Sequence, residues 1–469
     1  MKKIIINSFL SVLCIAGIFS ACTDNSLEPT LSQSKDYEPN VKTLDGLRTV
    51  LAGGYDRMQH SNYYGRDLII YGEVRSDNAF SNANSNRFVT PAQMKMAVTD
   101  GYPNDTWNKI YEAVANANIV IINGSSATGE ADQLAHLKGQ AHIMRALAHF
   151  DLLRLFGQQF ISGQGGMNAM GVPYVKAFRE AGSLFPARET VQQNYDNIMQ
   201  DLDQAISLMK PGLDNSNKHY FTLYSAHALK ARIATYFKKY DTAEKEAEVV
   251  VNSGRYSMAS ASNFVNTFKQ KSTDNIIFSI AMNASDNMGN NSLASIYRGA
   301  AYGDIVILKD LYDAYDSGDI RKTDEFIRFN RNSTEEFRNI GKYPNNSTPD
   351  DDIPVIRFEE VVLLYAEALF NNGKPDKALA ELNKIPANRN AVSYTQANMQ
   401  NILSERRKEL AFEGFRFDDI ARTGMDMPLV DNLKQRYGVV KFGEYKYAFP
   451  IPQAEISANS NIKQNFGYK

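Results

Sequence analysis

The sequence is short of the groups that mark reactive chemistry. It has two cysteines in 469 residues, Cys14 and Cys22, too few for a disulfide framework or a cysteine-rich zinc site. Its net charge is −2, so no basic field draws it to nucleic acid. Beyond the N-terminus no apolar run approaches the roughly 20 residues a bilayer-spanning helix needs. No P-loop, nucleophile elbow or zinc motif occurs. His136, His142 and His149 share one helical stretch at separations of six and seven, not the i, i+4 spacing of a helical zinc pair. The acidic run Asp350-Asp351-Asp352 lacks the glycine turn and distal glutamate of an EF-hand and reads as a solvated loop. Neither a metal nor a cofactor is expected. The single tryptophan, Trp107, falls at helical spacing with Ile110, Tyr111 and Val114, which places it in the core.

The N-terminus reads as a targeting segment. Lys2 and Lys3 supply positive charge, residues 4–19 an apolar stretch, and Ser20-Ala21-Cys22 a lipobox-like cleavage site. Cleavage would remove Cys14 and leave Cys22 as the first residue, without a disulfide partner. Lipidation there, on more than one acyl chain, would anchor the protein stably. The expected organisation is a lipoprotein-type signal peptide over 1–21, a flexible tether over 22–40, and one domain over 41–469 whose C-terminal half begins near residue 270. Asp24 and Glu28 resemble the acidic signal that sends such lipoproteins to the cell surface.

Helical periodicity dominates the rest. Residues 43–58, 104–124, 133–156 and 188–209 each carry one apolar face. Two stretches, 220–251 and 361–385, read as hairpins of the tetratricopeptide type, with small residues such as Ala234, Ala243, Ala366 and Ala378 where paired helices come close. Residues 275–282 are the best strand candidate, and 401–422 reads as one charged amphipathic helix. Its carboxylates invite a catalytic reading. Ion pairs along the helix, Glu405 with Lys408 and Asp418 with Arg422, account for them better. The expected fold is mostly α, an irregular stack of such hairpins with long ligand-binding loops and a few short strands. The loops span 59–103 and 282–352, and the closing segment 447–469 reads as an extended strip on the helix surface.

Several strings then converge on one family. RFEEVVLLYAEAL with ERRKELAFEGFRFDDIAR, the helix MRALAHFDLLRLFG, the lipobox, and the tail PIPQAEISANSNIKQNFGY resemble the SusD/RagB family, in that family's order. The resemblance implies a surface-exposed outer-membrane lipoprotein without enzymatic activity. Such a protein captures an oligosaccharide, or a peptide, and passes it to a SusC-like TonB-dependent transporter. Two rivals remain: a tetratricopeptide scaffold of outer-membrane assembly, and a lipoprotein glycoside hydrolase. The long loops argue against the first. The second would need a carboxylate pair in a cleft, and the acids here sit on helix faces. With the helix faces committed to packing, the loops are left to bind. Tyr63, Tyr64, Arg66, Asn78, Tyr297 and Arg298 are the expected ligand contacts, because aromatic faces stack and polar tips bond. The same strings, YYGR and RSDNAF, also suit residues that fold a loop against helices.

Overall fold

Small residues and capped helix ends set the architecture of the computed structural model, which describes residues 41–298, 302–330 and 336–469. The lipobox, Cys22 and the tether lie outside the described residues. Helix α1 (Leu44–Gln59) starts at Thr43, whose hydroxyl accepts the Gly46 amide at 3.1 Å. Helix α2 is Asp67–Val74, α3 Gly101–Asn123 and α4 Ala131–Phe156. Helices α5 (Val191–Leu208) and α6 (Leu223–Tyr236) each open in a reciprocal capping box, Thr190 with Gln193 and Thr222 with Ser225, which satisfies two otherwise orphaned amides at each end. Helices α7 (Tyr240–Val251), α8 (Phe358–Asn371), α9 (Pro375–Ala387), α10 (Met399–Glu409) and α11 (Arg416–Thr423) complete the long helices.

Packing runs α1 on α3, α3 on α4, α4 on α5, then α6 on α7, α7 on α8 and α8 on α9. This is the irregular stack of hairpins. Ala234, Ala243 and Ala368 meet where α6, α7 and α8 approach, and Ala378 on α9 is fully buried. Trp107 is buried against Phe156, ring centroids 4.9 Å apart.

Three expectations are corrected. The segment after Met58 is not all loop: α2 lies within it, and every residue of α2 is buried. A helix buried all round has no polar face and so shows no periodicity. The stretch 401–422 is not one helix. It breaks between α10 and α11, where Phe412 (φ 72°) and Gly414 (φ 85°) take the left-handed conformation. The break lets Gly414 press against α2, so closely that a Cβ on Gly72 would lie 2.1 Å from the Gly414 carbonyl. Finally, the tail is a surface strip only in part. Phe449, Ile451 and Ile462 are buried in the main cluster, and residues Gln453–Ala458 form a short helix.

The strands are short. β1 (Ala79–Ser81), β3 (Ile305–Ile307), β5 (Glu336–Asn339) and β4 (Ile327–Asn330) form an antiparallel sheet in that spatial order. β2 (Ile276–Ile280), at the expected strand, pairs antiparallel with β6 (Ile353–Arg357). The expected loop over 282–352 therefore contributes β3, β4 and β5. Residues Val41–Lys469 form one compact unit.

Candidate functional site

The carboxylates of α10 are fully committed. Glu409 accepts Arg389 Nε and Nη2, both at 2.9 Å, Arg321 Nη1 at 3.0 Å and Arg357 Nη1 at 3.2 Å. Glu413 accepts Arg357 Nε at 2.8 Å and also bonds Lys342. These groups are buried. Burial alone would raise the glutamate pKa values, but the guanidiniums outweigh it and hold Glu409 and Glu413 below the ordinary range. A carboxylate so paired is no general acid. Of the two expected ion pairs, Lys408 with Glu405 forms at 2.9 Å. Arg422 instead reaches Asp419 and Glu367, and Asp418 bonds Arg154.

The sequence-predicted contact residues lie mostly inside. Tyr63 is buried and its hydroxyl donates to Asp151 Oδ2 at 2.7 Å. Tyr64 is buried beside it, ring centroids 4.7 Å apart. Arg66, also buried, donates to Asp67 Oδ1 at 2.6 Å and Asn291 Oδ1 at 2.7 Å. Buried Asn78 donates to Glu73 Oε2 and accepts Arg407 Nε, both at 3.0 Å. Tyr297 is fully buried and stacks on Tyr343. Arg298 is half-buried and donates to the Ile340 carbonyl at 2.6 Å. These side chains lock the loops to the helices, the second of the two roles their composition allowed. Asn78 and Tyr63 are as polar as a ligand contact, and nothing local in the sequence separates the two uses.

What they support is a surface cradle one step further along both loops. The antiparallel pairing Ser81↔Ile305 brings residues 82–88 alongside 302–304. Ala83, Asn86 and Phe88 all have positive φ, near 60°, an arrangement that side chains must hold in place. Asp304 does so. It is fully buried, its Oδ1 accepts the Ser85 and Arg87 amides at 2.9 and 3.0 Å, and its Oδ2 takes the Ser85 hydroxyl. Asn82 N donates to the Asp304 carbonyl at 2.9 Å, and Asn84 Nδ2 to the Tyr302 carbonyl at 2.7 Å. On this frame the Arg87 guanidinium lies 3.4 Å from the Tyr302 ring centroid, both side chains half-buried. Asn84 and Asn86 are exposed at the rim, and Glu336 approaches Asn82 at 3.4 Å.

Chemically the cradle offers a flat cation–aromatic platform ringed by amides and one carboxylate. It can stack a planar or apolar ring face and bond its polar edge. Among the described residues no cluster of His, Cys, Asp and Glu fit to hold a metal occurs. The residues missed from the sequence are Arg87, Tyr302 and Asp304. The available signal was the run of Asn, Ser and Gly around them, which marks a constrained turn.

Two family models match the chain: one described as the SusD family over residues 312–468, and one described as starch-binding associating with outer membrane over residues 31–236. SusD-like protein P2 of Formosa agariphila is 24% identical, covering 99% of this chain and 99% of that protein. The starch-binding protein SusD of Bacteroides thetaiotaomicron is 32% identical over 140 residues, 29% of this chain and 25% of that protein. Among solved structures, a SusD superfamily protein from Bacteroides thetaiotaomicron superposes with a TM-score of 0.82 at 26% identity, covering 90% of this chain and 99% of its own.

Proposed function

The chain belongs to the SusD/RagB family, and from that membership we propose that it captures an oligosaccharide nutrient at the outer membrane and hands it to a SusC-like TonB-dependent transporter. Carbohydrate binding and outer-membrane association are what the similar proteins and family descriptions name. Lipid anchoring through Cys22 and display at the cell surface complete the reading. It is a binding function and needs no chemical step.

The observation that carries it is the Arg87–Tyr302 platform held by Asp304. A pyranose presents an apolar C–H face and a ring of hydroxyls. The first packs against the Arg87–Tyr302 stack, and the second meets the Asn82 and Asn84 amides and the Glu336 carboxylate. A peptide uses the same bonds less well, because it has no flat apolar face of that size.

The test is calorimetric titration of the chain with maltoheptaose, laminarihexaose, xylohexaose and mannohexaose, beside a mixed pentapeptide pool. One saccharide should bind saturably. Arg87→Ala with Tyr302→Ala should weaken it by about 30-fold or more, the loss of roughly 2 kcal/mol of contact, with the cooperative melt retained. Binding of the peptides alone, or full affinity in the double variant, would refute this reading of the cradle. Cys22→Ala should move the protein from the membrane to the soluble fraction, and the intact protein should co-purify with a β-barrel.

A further inference from the structure

The charged groups of the cradle are satisfied, all but one. The rim carboxylate, Glu336, is paired with Arg338, whose Nη1 donates to the Gly303 carbonyl at 2.7 Å. Asp304 uses Oδ1 for two backbone amides and Oδ2 for the Ser85 hydroxyl. Nearby arginines are closed as well. Arg66 donates to Asp67 and Arg416 to Asp77, each at 2.6 Å.

Arg87 is the exception. Its Nη1 donates to the Ser85 hydroxyl at 3.1 Å and leans on the Ser85 carbonyl at 3.5 Å. Nε and Nη2 hold no hydrogen bond and reach solvent. Among the described residues no carboxylate pairs with this guanidinium. Two contacts fix how its free edge is presented. The group lies over the Tyr302 ring, 3.4 Å from the centroid, and Nη1 is tied to Ser85, whose own hydroxyl is held by Asp304. The Nε–Nη2 edge is therefore a preset pair of parallel N–H donors with a positive charge behind it. Such a fork matches two oxygens of one planar or tetrahedral oxyanion. Charge-assisted bonds of this kind are about twice as strong as neutral ones. A sugar hydroxyl would fill one donor and leave the charge unmatched.

A second cation extends the field. In the β4–β5 pairing Arg328 stands directly opposite Arg338, so the two share one face of the sheet. Arg338 reaches Gly303, the residue after Tyr302. Arg328 is exposed, and among the described residues no carboxylate pairs with it. Like charges directly opposite on paired strands repel, and Glu336 answers only one of them. The chain as a whole has a net charge of −2, so this positive spot is local to the cradle and not a property of the surface at large.

We propose that the cradle selects acidic oligosaccharides, seating an oxyanion of the sugar, the carboxylate of a uronic acid or a sulfate ester, on the Nε–Nη2 edge of Arg87. The inference rests on the reading of the cradle as a saccharide site and narrows its ligand class. The sugar ring packs against the Arg87–Tyr302 stack, its hydroxyls meet Asn82 and Asn84, and Arg328 favours a further acidic residue along the chain. Complementary charge of this kind decides which partner is chosen more than how tightly any partner is held.

The experiment titrates the full chain with matched pairs that differ in the oxyanion. They are mannohexaose with hexamannuronate of the same linkage, xylohexaose with its glucuronic acid-substituted form, and laminarihexaose with its sulfated form. In at least one pair the acidic member should bind about tenfold tighter or more. The first two pairs report a carboxylate, the third a sulfate. Hexamannuronate with its carboxylates methyl-esterified should bind no better than mannohexaose, a test of charge that needs no variant. Arg87→Gln keeps an amide donor and removes the charge. It should bring the acidic member down to the affinity of its neutral partner, which itself changes little. Arg87→Lys keeps the charge without the fork and should retain part of the preference. Should the neutral members bind as tightly as the acidic ones and lose binding in the Arg87→Ala, Tyr302→Ala variant, the inference falls and the cradle stands as a neutral-sugar site. A preference that survives Arg87→Gln undiminished places the oxyanion elsewhere and overturns the inference. No binding of any member of the three pairs refutes both the inference and the cradle.

Discussion

At the scale of single residues, the charges of α10 and its neighbours hold the C-terminal half together. Glu409 alone receives bonds from Arg321, Arg357 and Arg389. Glu409→Ala removes the carboxylate these three buried guanidiniums share, leaving Arg321 with Asp319 and Glu405, Arg357 with Glu413 and Arg389 with Glu359, and breaking a buried pair costs about 3–5 kcal/mol. The unfolding free energy measured in urea should fall by that much; a change under about 1 kcal/mol would mean the cluster is solvated. The contribution has a pH sign. The folded-state pKa is depressed, so the stability is present above the unfolded value near 4.3 and is lost as pH falls below it. Asp351 behaves oppositely. Burial first, with Asp350 adding, raises it to about 7. Its protonated form is favoured in the fold, so stability is lost as pH rises from about 4, the unfolded value, to about 7. Asp351→Asn can still accept the Asn345 amide, which Asp351 takes at 2.8 Å. The variant should match wild type at about pH 4 and melt higher at about pH 8. Equal melting temperatures at both would show that Asp351 stays solvated.

At the scale of elements, the seam between α2 and the α10–α11 turn positions the cradle, because α2 leads directly into β1. The seam depends on Gly72, where a Cβ would meet the Gly414 carbonyl at 2.1 Å. Backbone on both sides cannot yield cheaply. Gly72→Ala should cost about 3 kcal/mol, the upper end for overpacking, while Gly212→Ala, with open space around it, should cost nothing. Parallel thermal melts of the two variants settle it; equal melts would put the seam elsewhere. The same elements show how far sequence reading reaches. The hairpins α6–α7 and α8–α9 were legible, since alanines at helical spacing and Pro375 after Gly373 are local signals. α2 and the α10–α11 break were not. α2 is buried all round and so shows no periodicity, and the break follows from a contact between residues 72 and 414 that no local pattern encodes. The cradle was missed for a related reason. The loops that carry it were identified, but Asn78 and Tyr297 differ from Asn84 and Tyr302 only in which way the fold turns them.

At the scale of the whole molecule, the tail is the fastening. Phe449 N bonds the Leu155 carbonyl at 2.7 Å and Asn465 Nδ2 the Phe156 carbonyl at 2.8 Å, both at the end of α4. Arg188 Nη1 reaches the Lys463 carbonyl and Asn459 Nδ2 the Pro186 carbonyl, each at 2.9 Å, ahead of α5. Arg75, just past α2, sits over the rings of Phe417 and Phe449, joining α11 to the tail. The segment thus ties helices from both halves of the chain. Burying Phe449, Ile451 and Ile462 contributes about 1.5–3 kcal/mol each, or roughly 5–9 kcal/mol together. A protein's whole stability is about 5–15 kcal/mol. A chain ending at Lys446 should therefore lose its cooperative melt and expose apolar surface to a fluorescent dye. Phe466→Ala, at an exposed tail position, should leave the melt unchanged. If the truncated chain keeps a single sharp transition near the wild-type temperature, the two halves are fastened by α6–α8 alone and the tail is only a covering.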